Sequence, residues 1–267
     1  MKKYIEVIKT NMQISFMYKW NVVITSLMDV FKLIAECAFW QILFATSASD
    51  EMYGYTLNGL ITYYIFMYII GAITGMGSMG YKVADDIKNG TLSNILLKTI
   101  SCIKYYFSEI IGQKIVQLLF SLVVFIPIFI FYASSINIKI NLLQLILFPF
   151  AIIFALVLTY LINLLISFLA FWLTEVTSFF FVKDLVVDFL SGKAFPIDIM
   201  PVGVLGVLNL LPFAYCTFFP INILTKDLTF LELMRGFGMQ LGWILVIYVM
   251  VRIAWKKGIK RYSGTGM

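Results

Sequence analysis

The sequence has no histidine, three cysteines and few charged side chains, and each shortage excludes a class of protein. Without histidine, the chain cannot build a Ser-His-Asp triad, a histidine metal site or a histidine haem ligand. The cysteines, Cys37, Cys102 and Cys216, are far apart and fit neither a zinc site nor a disulfide framework. The pattern G-x-x-x-x-G-K-[ST] is also missing, so the chain has no P-loop for a nucleotide.

Apolar side chains, by contrast, are abundant. Of the 267 residues, 61% are hydrophobic and 13% are charged, and the mean hydropathy is +0.95. Soluble domains usually have about 45–50% apolar and about 25% charged residues. A soluble fold of this length could not bury so much apolar surface, so we expect a membrane protein. Each transmembrane helix needs about 20 residues. Six such helices and their loops leave no room for a separate soluble catalytic domain.

The apolar runs predict one all-α transmembrane domain over 1–267 with six membrane-spanning helices. Five of these spans are 22–45, 57–80, 109–133, 142–173 and 236–255.

The region from 174 to 220 permits two arrangements of the remaining span. In the first, 174–192 crosses the membrane and 199–220 is a broken, re-entrant hairpin on the outer side. In the second, 176–192 is an interfacial helix and 202–224 is the span. Three prolines lie within 199–220. Because prolines interrupt this stretch, a broken element that is shielded by protein or water explains it better than a continuous span. We therefore favour the first arrangement.

Lysine and arginine residues cluster beside three hydrophobic segments. The first 19 residues, the segment 81–107 and the tail after Trp255 hold four each, whereas the other predicted loops hold four in total. Positive charge is concentrated in cytoplasmic loops, so we expect both termini and the 81–107 segment in the cytoplasm. The net charge of +6 therefore does not indicate nucleic-acid binding.

Residues 1–19 precede the first span. Ile5, Ile8, Met12 and Phe16 recur there at spacings of three and four, which predicts an amphipathic helix. We expect this helix to lie on the cytoplasmic leaflet as an interfacial elbow helix.

Three charged residues, Asp29, Lys32 and Glu36, lie within the first predicted span. On a helix they fall within an arc of about 60°, and their spacing permits mutual neutralisation. Because charges within a membrane avoid lipid, we predict that this face borders a cavity or a subunit interface. The charged residues Lys183, Asp184 and Asp188 lie in 174–192 in the same way, and the sequence alone assigns them no role.

The stretch 75–80 matches the pattern G-x-G-x-x-G. A dinucleotide-binding fingerprint needs a preceding strand and a βαβ unit, whereas an apolar helix precedes this one. We interpret Gly71, Gly75 and Gly77 as small residues that let another helix approach closely.

The segment 81–107 intersperses apolar residues among charged ones. Its apolar positions are Val83, Ile87, Leu92, Ile95, Leu96 and Ile100. Gly90 divides it into two short helices, and Thr91 or Ser93 is placed to cap the second. A solvated loop does not need a repeating apolar face, so we predict a helix-in-groove contact with a cytoplasmic partner.

Four features occur in a characteristic order along nearly the whole chain. They are the amphipathic helix before six spans, DIKNGTL at 86–92 running into LLKTIS at 96–101, SGKAFPI at 191–197 followed by further prolines, and the ending WKKG at 255–258 with KRYSG at 260–264. In this order they resemble the type-2 (exporter) permeases of ATP-binding-cassette transporters.

The resemblance implies that 81–107 is a cytoplasmic coupling segment between spans 2 and 3, and that 193–220 is an outer re-entrant region before span 6. It also implies which residues transmit force from the ATPase: Asp86, Ile87, Lys88, Gly90, Thr91, Leu92, Leu96 and Leu97. The face of Asp29, Lys32 and Glu36 would border the translocation path or the subunit interface.

The partners implied are P-loop ATPase subunits, a second permease and the lipid bilayer of a bacterial plasma (inner) membrane. The chain itself would bind no cofactor, metal or nucleic acid, because ATP and Mg²⁺ would lie on the partner ATPase. An alternative is an ion-coupled secondary carrier or channel that uses the intramembrane charges, although we find no inverted repeat. The sequence does not distinguish drugs, lipids and peptides as substrates.

Overall fold

A computed structural model describes residues 2–47, 51–132 and 141–262. Helix makes up 81% of the structure, which confirms the all-α prediction. Met1 of the predicted elbow helix, Ala133 of the third predicted span, Lys139 and the tail residues 263–267 lie outside the described residues.

The α-helices of this part of the chain are α1 (Lys2–Met17), α2 (Lys19–Thr46), α3 (Leu57–Thr74), α4 (Met79–Lys88), α5 (Leu92–Leu96), α6 (Cys102–Tyr132), α7 (Leu142–Ser167), α8 (Thr177–Leu190), α9 (Val202–Leu208), α10 (Phe218–Thr225) and α11 (Phe230–Gly258). Short 3-10 helices occur at Phe168–Phe171, Ile197–Ile199 and Phe213–Tyr215. Two short strands, β1 (Glu51–Met52) and β2 (Tyr55–Thr56), pair antiparallel with Met52 opposite Tyr55.

Four stretches of helix are long and apolar enough to cross a membrane: Leu57–Lys88, Cys102–Tyr132, Leu142–Phe171 and Phe230–Gly258. They correspond to the second, third, fourth and last predicted spans. Helix α2, with 28 residues, is also long enough to cross, but its charged face keeps it out of this apolar group. Helix α8 has 14 residues, or about 21 Å against a hydrocarbon core of about 30 Å. The count of six spans therefore stays a prediction.

The second predicted span is wrong at its C-terminal boundary. Helix α3 ends at Thr74 rather than at Gly80, and α4 begins at Met79 after a break at 75–78. Gly77 adopts a φ of +51° within this break, a conformation that favours glycine because it has no Cβ.

The interpretation of Gly71 and Gly77 as sites of close helix approach is also wrong. Among the described residues, no atom lies within 4 Å of the position that a Cβ would take at either glycine, and the nearest atom at Gly75 is the Gly71 carbonyl oxygen. Gly80 makes the close contact instead, since a Cβ there would overlap the Phe180 ring of α8. The small residue that matters for packing therefore lies on α4.

The region 174–225 bears on the two arrangements of the fifth span. The structure divides 202–224 into α9, a 3-10 helix and α10, so this range is not the single continuous helix that the second arrangement expects. The broken stretch turns back toward the end of α8, where the Phe218 N–H donates to the Ser191 carbonyl oxygen at 3.0 Å. This geometry agrees with the first arrangement, in which α8 is the fifth span.

Side chains of α3 fix the segment that follows α8. Tyr63 is fully buried, and its hydroxyl donates to the Gly192 carbonyl oxygen at 2.6 Å. The Tyr64 hydroxyl donates to the Ala194 carbonyl oxygen at 3.0 Å and accepts from the Trp40 indole N–H of α2 at 3.0 Å. Helix α3 is therefore the central helix against which α2 and 191–195 are positioned.

The two ends of the helix bundle are joined by different contacts. At one end, which we call the coupling end, the Tyr4 hydroxyl of α1 accepts from the Ser101 N–H at 3.1 Å, and the Tyr262 hydroxyl of the tail donates to the Gly90 carbonyl oxygen at 2.6 Å. Both terminal regions therefore meet the coupling segment at one end of the molecule, as charge counting predicts.

At the opposite end, Asp198 bridges the hairpin to two other elements. It accepts from the Tyr55 hydroxyl at 3.0 Å and forms an ion pair with Lys226. Burial and the neighbouring Asp198 raise the pKa of the Tyr55 hydroxyl well above its ordinary value, so Tyr55 remains a neutral donor.

Helix α1 packs side by side with the first half of α6. A Cβ at Gly112 would lie 2.5 Å from the Ile8 carbonyl oxygen, which shows how closely the two backbones approach. The Phe16 and Phe120 rings are in contact farther along, with centroids 6.3 Å apart. Ile5 and Phe16 remain about half exposed, and this apolar strip beside the packed face suits a helix at a lipid interface.

Candidate coupling surface and charged cavity

The coupling segment folds as α4 and α5, which are joined by a tight turn. Gly90 adopts a φ of +76° in this turn, and the Asn89 N–H donates to the Asp85 carbonyl oxygen at 2.8 Å. Gly90 therefore divides the segment as predicted, and it does so because the turn requires a left-handed conformation.

The predicted cap of the second short helix is wrong. Neither Thr91 nor Ser93 uses its hydroxyl to cap α5. The Thr91 hydroxyl donates to the Asp86 carboxylate at 2.7 Å, and the Ser93 hydroxyl pairs with the Tyr262 hydroxyl at 3.0 Å. Both hydroxyls therefore bond to side chains outside α5 rather than to the N–H groups at its start.

Two of the eight predicted coupling residues, Ile87 and Leu92, are buried, as is Val83 before them. Val83, Ile87 and Leu92 are 0–3% exposed. Helix α4 contacts the 3-10 helix Phe168–Phe171 and α7, and the Ser167 hydroxyl donates to the Gly80 carbonyl oxygen at 3.0 Å. The buried apolar residues therefore attach the coupling segment to the helix bundle.

Asp86 and Lys88 also have intramolecular partners. Besides Thr91, Asp86 accepts from the Tyr106 hydroxyl of α6 at 2.8 Å. The Lys88 ammonium lies 3.9 Å from Glu175 in the α7–α8 connection. Hydrogen bonds from Thr177 hold the pKa of Glu175 below its usual range, so its charge remains available to Lys88.

The exposed leucines of the segment lie at the C-terminal end of α5. Leu97 is 85% exposed and Leu96 is 39% exposed, and both stand beside the exposed Lys98 and Thr99. We call 96–99 the coupling tip. Two adjacent leucines at an exposed helix end are suited to insertion into an apolar groove.

Tyr262 is the residue of this region that the sequence did not single out by itself. Its hydroxyl donates to the Gly90 carbonyl oxygen and accepts from the Ser93 N–H at 3.1 Å. The signal was available in the tail motif KRYSG, where a tyrosine stands among basic residues. The tail therefore holds the turn between α4 and α5 in place.

Asp29, Lys32 and Glu36 come together with α8 around a second feature, a cavity of about 490 Å³. Asp188 and Lys193 complete its charged lining. Lys32 pairs with Asp29 at 3.2 Å, and Lys193 pairs with Asp188 at 3.4 Å. The charged face of the first predicted span lines this cavity, and its place at a translocation path or subunit interface stays a prediction. We call this space the charged cavity.

Glu36 is the carboxylate of the charged cavity that has no lysine partner within salt-bridge distance among the described residues. One of its oxygens accepts from the Tyr68 hydroxyl at 3.1 Å, and the other is buried without a hydrogen-bond partner in the described chain. A buried acceptor of this kind favours a ligand that brings a donor.

Two lysines of the predicted spans lie outside the charged cavity. Lys114 of α6 is buried and donates to Gln117 at 2.6 Å. Lys183 of α8 donates to the Asn163 side chain at 2.9 Å and pairs with Asp184 at 2.5 Å. Both lysines have partners within the protein, as charges at membrane depth require.

The all-helical fold agrees with a comparison against protein families. A model of the ABC-2 family transporter proteins matches residues 30–266. The chain belongs to this family. A search of curated proteins finds no match.

Family membership explains the architecture of the permease. It identifies a multi-pass membrane protein of an ABC transporter, which confirms the resemblance found in the sequence motifs. It also implies association with ATPase subunits and with the lipid bilayer.

Proposed function

We propose that this permease is the membrane-spanning half of an exporter that is driven by separate P-loop ATPase subunits. In this proposal the chain has no ATPase site and no cofactor of its own, and ATP with Mg²⁺ binds to the partner. The absence of a P-loop pattern from this sequence supports the assignment of ATP binding to the partner subunits. Helices α2, α3, α6, α7, α8 and α11 make the six crossings.

The exposure of the coupling tip is the observation that carries the proposal. Leu97 is 85% exposed at the end of a segment in which the preceding apolar residues Ile87, Leu92 and Ile95 are buried. Asp86 and Tyr262 anchor the same segment to α6 and to the tail. A rigidly held segment with an apolar tip is suited to transmit movement of an ATPase into the bundle.

The orientation follows from the basic residues at the coupling end. Lysine and arginine are enriched in the first 19 residues, the coupling segment and the tail, and such enrichment favours the cytoplasmic side. We therefore place both termini and the coupling tip in the cytoplasm of a bacterial cell, with the permease in the plasma membrane.

A second permease, identical or related, completes the translocation path. Within one chain, the Lys32 and Asp188 side chains are 65% and 52% exposed at membrane depth. Charges at this depth are costly when they face lipid. A facing permease covers them and closes the charged cavity into a path.

The test is extraction of the tagged permease from its native membrane in mild detergent, followed by mass spectrometry of the proteins that co-purify. We expect a stoichiometric soluble protein with a P-loop, together with one or two kinds of six-span permease. A permease that comes out alone, under conditions that preserve known complexes, contradicts the proposal.

An ion-coupled secondary carrier is the second candidate, because the charged cavity lies among helices that cross the membrane. The two candidates differ in their energy source. Transport by the carrier needs an ion gradient and continues without ATP, whereas transport by the exporter stops when ATP is removed and continues when the ion gradient is collapsed.

A further inference from the structure

The charged cavity adjoins a second cavity of different chemistry. This neighbour has a volume of about 530 Å³ and shares Glu36 and Ala194 with the charged cavity. Its aromatic lining consists of Phe39, Trp40, Tyr53, Tyr64 and Phe195. We call it the aromatic cavity. The two form one amphipathic groove between α2 and the segment that follows α8, and Glu36 lies where they meet.

Glu36 sets the sign of charge that the groove accepts. The other two carboxylates of the charged cavity, Asp29 and Asp188, are paired with lysines. Glu36 has Tyr68 as its donor and keeps one buried oxygen without a hydrogen-bond partner among the described residues. A cationic group with an N–H donor satisfies that oxygen, whereas an anionic group brings a further acceptor and no donor.

The aromatic cavity sets the second requirement, an apolar or aromatic body next to the cationic group. Its rings stand within a few residues of Glu36 on the same helix, since Phe39 and Trp40 follow it by three and four positions. Trp40 already donates its N–H to Tyr64, so it offers its ring face rather than a hydrogen bond. Ring faces stabilise both apolar bodies and adjacent cations.

The aromatic side of the groove is open in the single chain. Phe39 is 57% exposed and Tyr53 is 67% exposed, and both line the aromatic cavity. A molecule that enters from this side therefore meets the apolar wall of the groove first and Glu36 afterwards.

We propose that the groove binds amphipathic organic cations, with an amine at Glu36 and an apolar or aromatic body against Phe39, Trp40 and Phe195. This inference rests on the proposed function, because it names the substrate class of the translocation path. It leaves zwitterionic and anionic lipids as poorer ligands.

The test uses the full-length permease in phosphatidylcholine nanodiscs without ATP and a matched pair of fluorescent probes. Dansylcadaverine has a dansyl ring on an alkyl chain that ends in an amine, and dansylaminohexanoate has the same ring on a chain that ends in a carboxylate. We expect saturable binding of the amine probe and at least about tenfold weaker binding of the carboxylate probe. Equal affinity for the two probes overturns the proposal without requiring any variant.

Glu36→Gln tests the residue itself, because glutamine keeps the shape and the Tyr68 contact while it removes the charge. We expect it to weaken binding of the amine probe by about tenfold or more. Glu6→Gln is the matched control, since Glu6 is exposed on α1 and pairs with Lys9 away from both cavities. Unchanged affinity in Glu36→Gln contradicts the proposed site.

The result is distinguishable from a failure of the proposed function. If an ATPase co-purifies but the amine probe has no preference, the substrate class is wrong and the exporter role stands. If the amine probe binds through Glu36 but no ATPase co-purifies, the site stands and the exporter role is wrong.

Discussion

The residue type of a single side chain in this permease does not reveal which contacts it makes. Asp86 and Thr91 belong to a motif that resembles a docking sequence, yet they bond to each other and to Tyr106. The polar residues of this motif hold the coupling segment in place, while the neighbouring Leu97 is the proposed contact surface for the ATPase. The sequence motif does not show which residues hold the segment and which contact a partner, because that depends on which residues the fold buries.

Tyr262 gives the first prediction at the residue scale. Tyr262→Phe removes the hydroxyl that bonds to Gly90 and Ser93, and a lost hydrogen bond of this kind costs about 1 kcal/mol. We expect the amides of 89–98 to exchange hydrogen about fivefold faster, as measured by mass spectrometry.

The control for this change is Tyr248→Phe, on the same final stretch of the chain. Tyr248 is 42% exposed on α11, and no hydrogen bond of its hydroxyl is found among the described residues. It is expected to leave exchange in 89–98 unchanged. Equal exchange in the two variants would show that the tail does not hold the coupling segment.

Gly192 gives the second prediction at this scale. Its φ is +85°, and a Cβ would lie 2.6 Å from the Tyr63 hydroxyl oxygen. Gly192→Ala is therefore expected to lower the free energy of unfolding by about 1–3 kcal/mol, because both the backbone and the contact are strained. A thermal shift assay in detergent measures the change.

Gly203→Ala on α9 is the comparison. No atom lies within 4 Å of its Cβ position, and alanine is the better helix former by about 1 kcal/mol. We expect this variant to be as stable as the native protein or slightly more so. If Gly192→Ala is equally stable, the segment after α8 is not fixed in the way described.

Helices are the scale at which the sequence predicts most of this structure. Long uninterrupted apolar runs correctly indicated α3, α6, α7 and α11, because a helix that crosses lipid must be apolar over about 20 residues. The proline-containing stretch 199–220 was predicted to be broken, and the structure divides it into short helices. These features depend on local composition, so they can be recognised in a single sequence.

Other features of the elements depend on tertiary contacts and were missed. The apolar run 57–80 conceals the break at 75–78, since glycine is tolerated in membrane helices and gives no clear stop signal. Thr91 and Ser93 suit an N-cap by residue type, but partners on other elements engage their hydroxyls. The approach of Glu36 to the 188–195 segment involves residues that are about 150 positions apart.

The coupling segment supplies the prediction for the element scale, a contrast between two of its leucines. Leu97→Asp changes an exposed residue, so we expect a change in stability within about 0.5 kcal/mol and at least about tenfold weaker binding of the ATPase. Leu92→Ala empties a fully buried site, so we expect a loss of about 2–5 kcal/mol in the free energy of unfolding.

Thermal shifts of the purified permease and quantitative co-purification of the ATPase distinguish these effects. If Leu97→Asp binds the ATPase as well as the native chain, the coupling tip is not the contact surface. If it instead unfolds the permease, the exposure of Leu97 has been misassigned.

The whole molecule has two functionally different ends. The coupling end gathers α1, the α4–α5 turn and the tail through Tyr4 and Tyr262. The opposite end joins β2, the 3-10 helix Ile197–Ile199 and Lys226 at the end of α10 through Asp198. The groove at Glu36 lies between them. In the proposed function, movement at the coupling tip reaches the groove through α8, which contacts α4 and lines the charged cavity.

Site-specific photocrosslinking in living cells tests the central claim of this account most directly. Benzoylphenylalanine replaces Leu97 at the coupling tip in one strain and Leu231 in another, the latter being 78% exposed at the opposite end. We predict that irradiation joins the permease to a P-loop ATPase from position 97 and not from position 231. A crosslink to the ATPase from 231, or from neither position while the complex co-purifies, would contradict docking at the coupling tip.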